Sequence, residues 1–111
     1  ALDPKWRDDP GVIEFKAFMK EYYPDGDLRD INNAYGYSVA QTLEHVLRSC
    51  GDNLSRENVM KRATDIRELE LPMLLSGIKI NTSRVHFLPI DQLQLTRFDG
   101  KSWILLVTES R

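Results

Sequence analysis

The last quarter of the chain carries a hairpin signal that cannot be satisfied locally. Gln92–Phe98 and Lys101–Val107 are two alternating runs on either side of Asp99-Gly100, a dipeptide that favours a tight two-residue turn. Such a turn pairs Phe98 with Lys101 and Leu95 with Ile104. Leu93, Leu95, Ile104 and Leu106 then share one face, and Thr96, Phe98, Trp103 and Leu105 share the other. Both faces carry large apolar groups, so both require cover. A lone hairpin is marginal in water, which places this one in a larger sheet. Yet the rest of the chain offers only one strand-like fragment, Ile78–Asn81, followed by an irregular stretch to Pro89.

What precedes the hairpin reads as helix. Gly11–Tyr23 places Val12, Phe15, Phe18, Met19 and Tyr22 at helical spacing, after Pro10 at the opening turn and before the stop at Pro24. Asn32–Gly51 is the longest helical pattern. Tyr35, Val39, Leu43, Val46, Leu47 and Cys50 recur at three- and four-residue steps, and Gly51 suits a left-handed C-terminus. Asn32 or Asn33 is expected to cap it, which puts Tyr35 and Tyr37 near free N–H groups. Those tyrosines read either as ligand contacts or as core residues whose hydroxyls reach water. Ser55 is expected to cap a third helix running to Glu68, with Val59, Met60, Ala63 and Ile66 on one face. Three consecutive helices and then a hairpin, without a strand–helix–strand repeat, leave amphipathic faces that look built to pack against something else.

Composition narrows the function. The chain has 111 residues, 29% of them charged, with a net charge of −2. Nucleic-acid binding requires a dense basic surface, so no nucleic-acid partner is expected. No apolar run approaches the length that crosses a bilayer. The single cysteine, Cys50, excludes an intramolecular disulfide and reads as a small core residue. Glu44-His45 lacks the second histidine of a zinc protease motif, and no phosphate loop, nucleophile elbow or dinucleotide fingerprint is present. Pro24-Asp25-Gly26-Asp27 is turn chemistry whose ligand spacing does not fit a calcium loop. No enzyme activity, catalytic residue, cofactor or metal site is expected.

Six segments, in this order, carry a resemblance: D-P-x-W-x-D-D-P-G from Asp3, F-M-K-x-Y-Y-P from Phe18, A-Y-G-Y-S-V-A-Q-T-L from Ala34, C-G-D-N-L-S-R-E-N-V-M from Cys50, M-L-L-S-G-I-K-I-N-T-S from Met73 and Q-L-Q-L-x-R-F-D-G-K-S-W from Gln92. Together they span essentially the whole chain. It resembles the C-terminal third of a periplasmic solute-binding protein of the branched-chain amino acid type, the receptor of an ABC transporter. The fold implied is α/β: a C-terminal fragment of a two-lobed type I periplasmic binding protein, contributing three helices plus a C-terminal β-hairpin.

On that resemblance, residues 1–24 and 84–111 are second-lobe elements, 31–75 are first-lobe helices, and 25–30 and 76–83 are crossings between lobes. The implied partners are a small-molecule ligand, the remainder of the receptor and the transporter's membrane subunits, in the periplasm. The ligand, an amino acid or an aromatic or organic acid, would be held by hinge closure. Self-association of the fragment through its apolar faces is also compatible with such a piece. Asn33, Ala34, Tyr35 and Tyr37 match the cleft-lining segment. Ala34 stands where the family usually carries a large aromatic. Ser76 and Arg84-Val85-His86 depart from its usual Pro and Pro-x-Asp, at the last crossing. A competing reading is a helical protein-interaction or regulatory module with no small-molecule ligand.

Overall fold

The computed structural model describes residues 2–106. A short 3-10 turn, Pro4–Trp6, leads into three α-helices: α1, Pro10–Tyr22; α2, Ile31–Ser49; and α3, Arg56–Ala63. Two short antiparallel strands follow, β1 at Thr96–Phe98 and β2 at Trp103–Leu105. The described residues thus make a small mixed helix and strand protein with three α-helices and a two-stranded hairpin.

Each helix opens on a side chain that satisfies one of its otherwise unpaired N–H groups. Asp9 accepts from the Val12 amide at 3.0 Å, Asp30 from the Asn32 amide at 2.9 Å, and Ser55 from the Asn58 amide at 3.2 Å. Asp30, not Asn32 or Asn33, therefore caps α2. The helix begins earlier than expected because a carboxylate at the positive end of the helix is the stronger cap. Gly51, at φ 59°, takes the left-handed conformation expected at the other end.

The third helix is five residues shorter than its sequence pattern. The expected run to Glu68 stops at Ala63 because side chains intercept the backbone. Thr64 donates its hydroxyl to Met60 and Lys61 carbonyls. Thr82 Oγ1 donates to the Ala63 carbonyl at 2.6 Å and accepts the Ile66 N–H at 2.9 Å, groups that a longer helix would have used. Glu68 then adopts φ 51°, outside helical geometry, and gives its N–H to Asn81 Oδ1. Ile66, expected on the helix face, is buried just beyond it instead, whereas Met60 is exposed.

Val46, Ile66, Leu71 and Ile80 form the main core cluster, with Val59, Ala63, Leu69 and Leu74 packed around it. The segment after α3 thus folds back across the α2–α3 pair. The expected Ile78–Asn81 strand is reduced to one antiparallel bridge, Leu69 to Ile80. On α1, Val12, Phe15 and Met19 are buried as the periodicity requires, but Phe18 and Tyr22 face solvent. Gly11 lies so close to the next layer that a Cβ there would meet the Pro72 carbonyl oxygen at 2.6 Å. Only glycine permits that approach.

The hairpin forms, but in a register two residues away from the expected one. Thr96 faces Leu105, Arg97 faces Ile104, and Phe98 faces Trp103. The turn is centred on Gly100 and Lys101 because Asp99 serves as its first residue. The Asp99 carboxylate accepts the Lys101 and Ser102 amides at 2.9 and 2.8 Å, an Asx-type turn that the dipeptide rule does not include. A two-residue slip leaves every side chain on its expected face, and Phe98 packs on Trp103 with ring centroids 5.2 Å apart. The expected second strand reaches Val107, which lies outside the described residues.

The molecule is a flat slab, 49 × 42 × 19 Å, with a radius of gyration of 16.1 Å. A compact chain near this length has about 13 Å. Its accessible surface is 8900 Å². A folded monomer of this size exposes roughly 6,300 Å², so about 2,600 Å² is in excess.

Two outcomes follow. Thr82→Val leaves the Ala63 carbonyl and Ile66 amide without their partner and is expected to cost about 1–3 kcal/mol in denaturant unfolding. Hydrogen bonds to Ser102 and to the Lys5 and Trp103 amides hold the Asp3 carboxyl below its ordinary value of 3.8, and those from Ser102 and Lys101 do the same for Asp99. A carboxylate depressed in the folded state contributes stability above its unfolded pKa and loses it as pH falls through the lower, folded value. Amide exchange in the hairpin is therefore expected to be level from pH 8 to 5, after correction for intrinsic rates, and to accelerate only below about pH 4.

Candidate functional site

An open apolar groove of about 750 Å³ runs along one side of α2. Its first wall is the helix itself, at Ile31, Ala34, Tyr35, Ser38, Val39, Thr42, Leu43 and Val46. These positions recur every three or four residues, so they form one stripe along the helix. The opposite wall comes from the folded-back segment: Met73, Leu74, Ile80, Thr82, Phe87, Pro89 and Ile90. That segment is held by backbone bonds from Thr82 to Ile66 and from Asn81 to Pro89, and by the Gln92 side chain accepting the Lys79 amide at 3.0 Å. Lys79 also pairs with Glu68 at 3.2 Å and lies 3.6 Å from Glu70. The Glu68 contact, followed by the charge of Glu70, raises its pKa.

The α2 stripe is the face that periodicity predicts to be buried. Only its C-terminal end is. Val46 and Cys50 are enclosed, while Tyr35, Val39 and Leu43 are 66%, 50% and 53% exposed. The groove is lined by carbon with a few hydroxyls, those of Tyr35, Ser38, Thr42 and Thr82. The Thr42 hydroxyl is already bonded to the Ser38 carbonyl, and that of Thr82 to Ala63. Such a surface removes apolar area from water when covered; it offers little to grip a charged ligand.

The four expected ligand-binding residues do not converge. Ala34 and Tyr35 line the groove. Asn33 is turned to the α1–α2 connection, where its side chain donates to the Asp27 carbonyl at 2.8 Å. Tyr37 faces α1, with its ring 5.3 Å from Phe15 and 5.0 Å from Phe18, both edge-on. Burial, and then the nearby Glu14 charge, raise the Tyr37 pKa. The two tyrosines flanking Gly36 thus divide between the two readings open to them: one ring sits in a packing cluster and the other stands in an open groove. Nor is the start of α2 a free N–H cluster, since the Asp30 carboxylate occupies it.

Sequence reasoning missed the second wall. Phe87, Pro89 and Ile90 sit in a stretch without periodicity, so nothing local marks them as facing α2. Among the described residues no three His, Cys, Asp or Glu side chains gather in a metal-sized cluster, and no helix is long and apolar enough to cross a membrane. His86 Nε2, itself buried, lies 3.3 Å from the half-exposed Asp91 carboxylate in the same loop. Comparison with known proteins finds no matching family model, no matching curated protein and no matching solved structure.

The different placement of the two tyrosines has a measurable consequence. Tyr37→Ala is expected to lose about 1–3 kcal/mol by removing both ring contacts with α1. Tyr35→Ala is expected to change stability by no more than about 0.5 kcal/mol. Thermal or denaturant unfolding of the two variants, side by side, checks both.

Proposed function

We propose that this chain is the C-terminal portion of an extracytoplasmic solute-binding receptor of an ABC importer, a type I two-lobed periplasmic protein. The observation that carries the reading is the uncovered apolar surface. The groove along α2 and both faces of the hairpin are surfaces of a protein interior, on a chain that presents about 2,600 Å² more surface than its size requires. The six ordered sequence segments supply the kind of protein in which that surface is filled. The remainder of each lobe covers it, and the chain passes between lobes at 25–30 and 76–83.

In this reading the ligand is a small organic molecule, an amino acid or an aromatic or organic acid, held between lobes. Its binding favours the closed form that the transporter's membrane subunits recognise. Ala34 and Tyr35, at the N-terminal end of the groove, are the residues of this chain proposed to stand at the ligand: a small residue that leaves room beside an exposed ring, with the groups that grip the ligand's charge supplied by the remainder of the receptor. Tyr37 and Asn33 act behind them, fixing α2 against α1 and the first crossing. A second reading, a helical interaction module, is favoured by the exposed α2 stripe alone, since such a stripe suits a partner helix.

The test is thermal unfolding of the longest chain expressed from its native reading frame, against amino acids and aromatic acids. A ligand that binds only the folded form at a hundred times its Kd stabilises by about 2.7 kcal/mol, several degrees in midpoint. A shift confined to one chemical class, reduced by Tyr35→Ala, is the expected result. A well-folded chain of about this length that responds to none of them would replace the receptor with the interaction module.

A further inference from the structure

The chain contains two Asp-Gly dipeptides, Asp25-Gly26 and Asp99-Gly100. In this pair of residue types the glycine nitrogen, unshielded by a Cβ, can attack the aspartate carboxyl carbon and close a five-membered imide. The same two residues meet different surroundings at each site.

At Asp99-Gly100 both reacting groups are presented. Both residues are exposed, and a Cβ built on Gly100 would meet nothing within 4 Å. The Gly100 N–H has no hydrogen-bond partner among the described residues. Asp99 Oδ1 accepts the Lys101 N–H at 2.9 Å and the Ser102 N–H at 2.8 Å. Attack on a carboxyl carbon leaves negative charge on its oxygen, and main-chain N–H groups already aimed there hold that charge as an oxyanion hole does. The two bonds therefore persist through the reaction and need not break for it to proceed.

At Asp25-Gly26 the nucleophile is engaged instead. The Gly26 N–H donates to the Tyr23 carbonyl at 3.0 Å. Gly26 is half-buried, and a Cβ there would meet Tyr23 Cδ1 at 2.5 Å and Met19 Cε at 2.6 Å. Turning the Gly26 nitrogen onto the Asp25 carboxyl carbon has to break that hydrogen bond and displace both side chains.

We propose that Asp99-Gly100 is a modification site of this protein, where the backbone isomerises to isoaspartate, and that the fold keeps Asp25-Gly26 from the same reaction. The Gly100 nitrogen bonds to Asp99 Cγ and gives up its hydrogen. Oδ2 leaves as water, taking that hydrogen and the carboxyl proton. Water then opens the ring. Addition at Cγ breaks the new bond and restores aspartate. Addition at the Asp99 main-chain carbonyl carbon breaks the original peptide bond, so the chain runs on through Cβ and Cγ. One water leaves and one returns, and nothing is oxidised or reduced. The isomer's main chain is longer by a methylene and its carboxylate sits on Cα, so the Lys101 and Ser102 amides lose the acceptor that shapes the turn.

The test is storage of the folded chain in neutral buffer, followed by peptide mapping with electron-transfer fragmentation, which tells isoaspartate from aspartate at each site. A fully denatured sample runs alongside. In denaturant the two dipeptides are expected to react at similar rates, because nothing holds either one. In the folded chain Asp99-Gly100 is expected to react at least about tenfold faster than Asp25-Gly26, the factor that one hydrogen bond with its packing sets against opening. Asp99→Glu, which would have to close a slower six-membered ring, should remove the signal at that site. Equal rates at the two sites of the folded chain, or a faster rate at Asp25-Gly26, would overturn the proposal. So would isoaspartate at neither site of the folded chain while the denatured sample forms both.

Discussion

Thr82 holds the larger part of this molecule together. One hydroxyl accepts the Ile66 N–H and donates to the Ala63 carbonyl, across 16 and 19 residues of chain. Both partners belong to the point at which a helix would otherwise continue. By satisfying them from outside, Thr82 ends α3 and turns the chain back, so that Ile66, Leu71 and Ile80 reach Val46 on α2. The core is thus assembled around a polar contact, which is stable because both backbone groups are paired. The second wall of the groove exists because that return path exists.

A small core sets what the rest of the surface can be. Eight enclosed side chains among the described residues, only four of them gathered in the main cluster, do not draw a chain of this size into a compact body, and the flat shape follows. The apolar stripe of α2 is satisfied at its C-terminal end, where Val46 meets the returning segment, and open at its N-terminal half. Tyr37 escapes this division because it lies on the other side of the same helix, where Phe15 and Phe18 meet it. One helix therefore holds α1 on one side and an unfilled groove on the other.

How far the sequence could be read depends on the range of the interaction concerned. Helices α1 and α2 were legible to within a residue or two at most ends, since periodicity, Pro10, Pro24 and Gly51 all act locally. The end of α3 was not legible, because the competing partner lies 16 to 19 residues away in Thr82. The hairpin was legible in kind and in the faces it presents. Its register was not, because the Asp99 side chain takes the turn amides that the dipeptide rule leaves to the backbone. The proposed site was half legible: Ala34 and Tyr35 line the groove, while Asn33 and Tyr37, adjacent in sequence, are directed elsewhere by helical geometry.

Cys50 is the sole thiol of the chain, and it sits enclosed at the cap of α2, 7% exposed, where the Asn58 side chain donates to its carbonyl. A thiol in that position reacts with an alkylating reagent only when the end of α2 parts from the α2–α3 junction. The molecule thus contains its own chemical clock. The rate at which Cys50 is labelled counts openings of this junction, without a probe being introduced and without disturbing the groove.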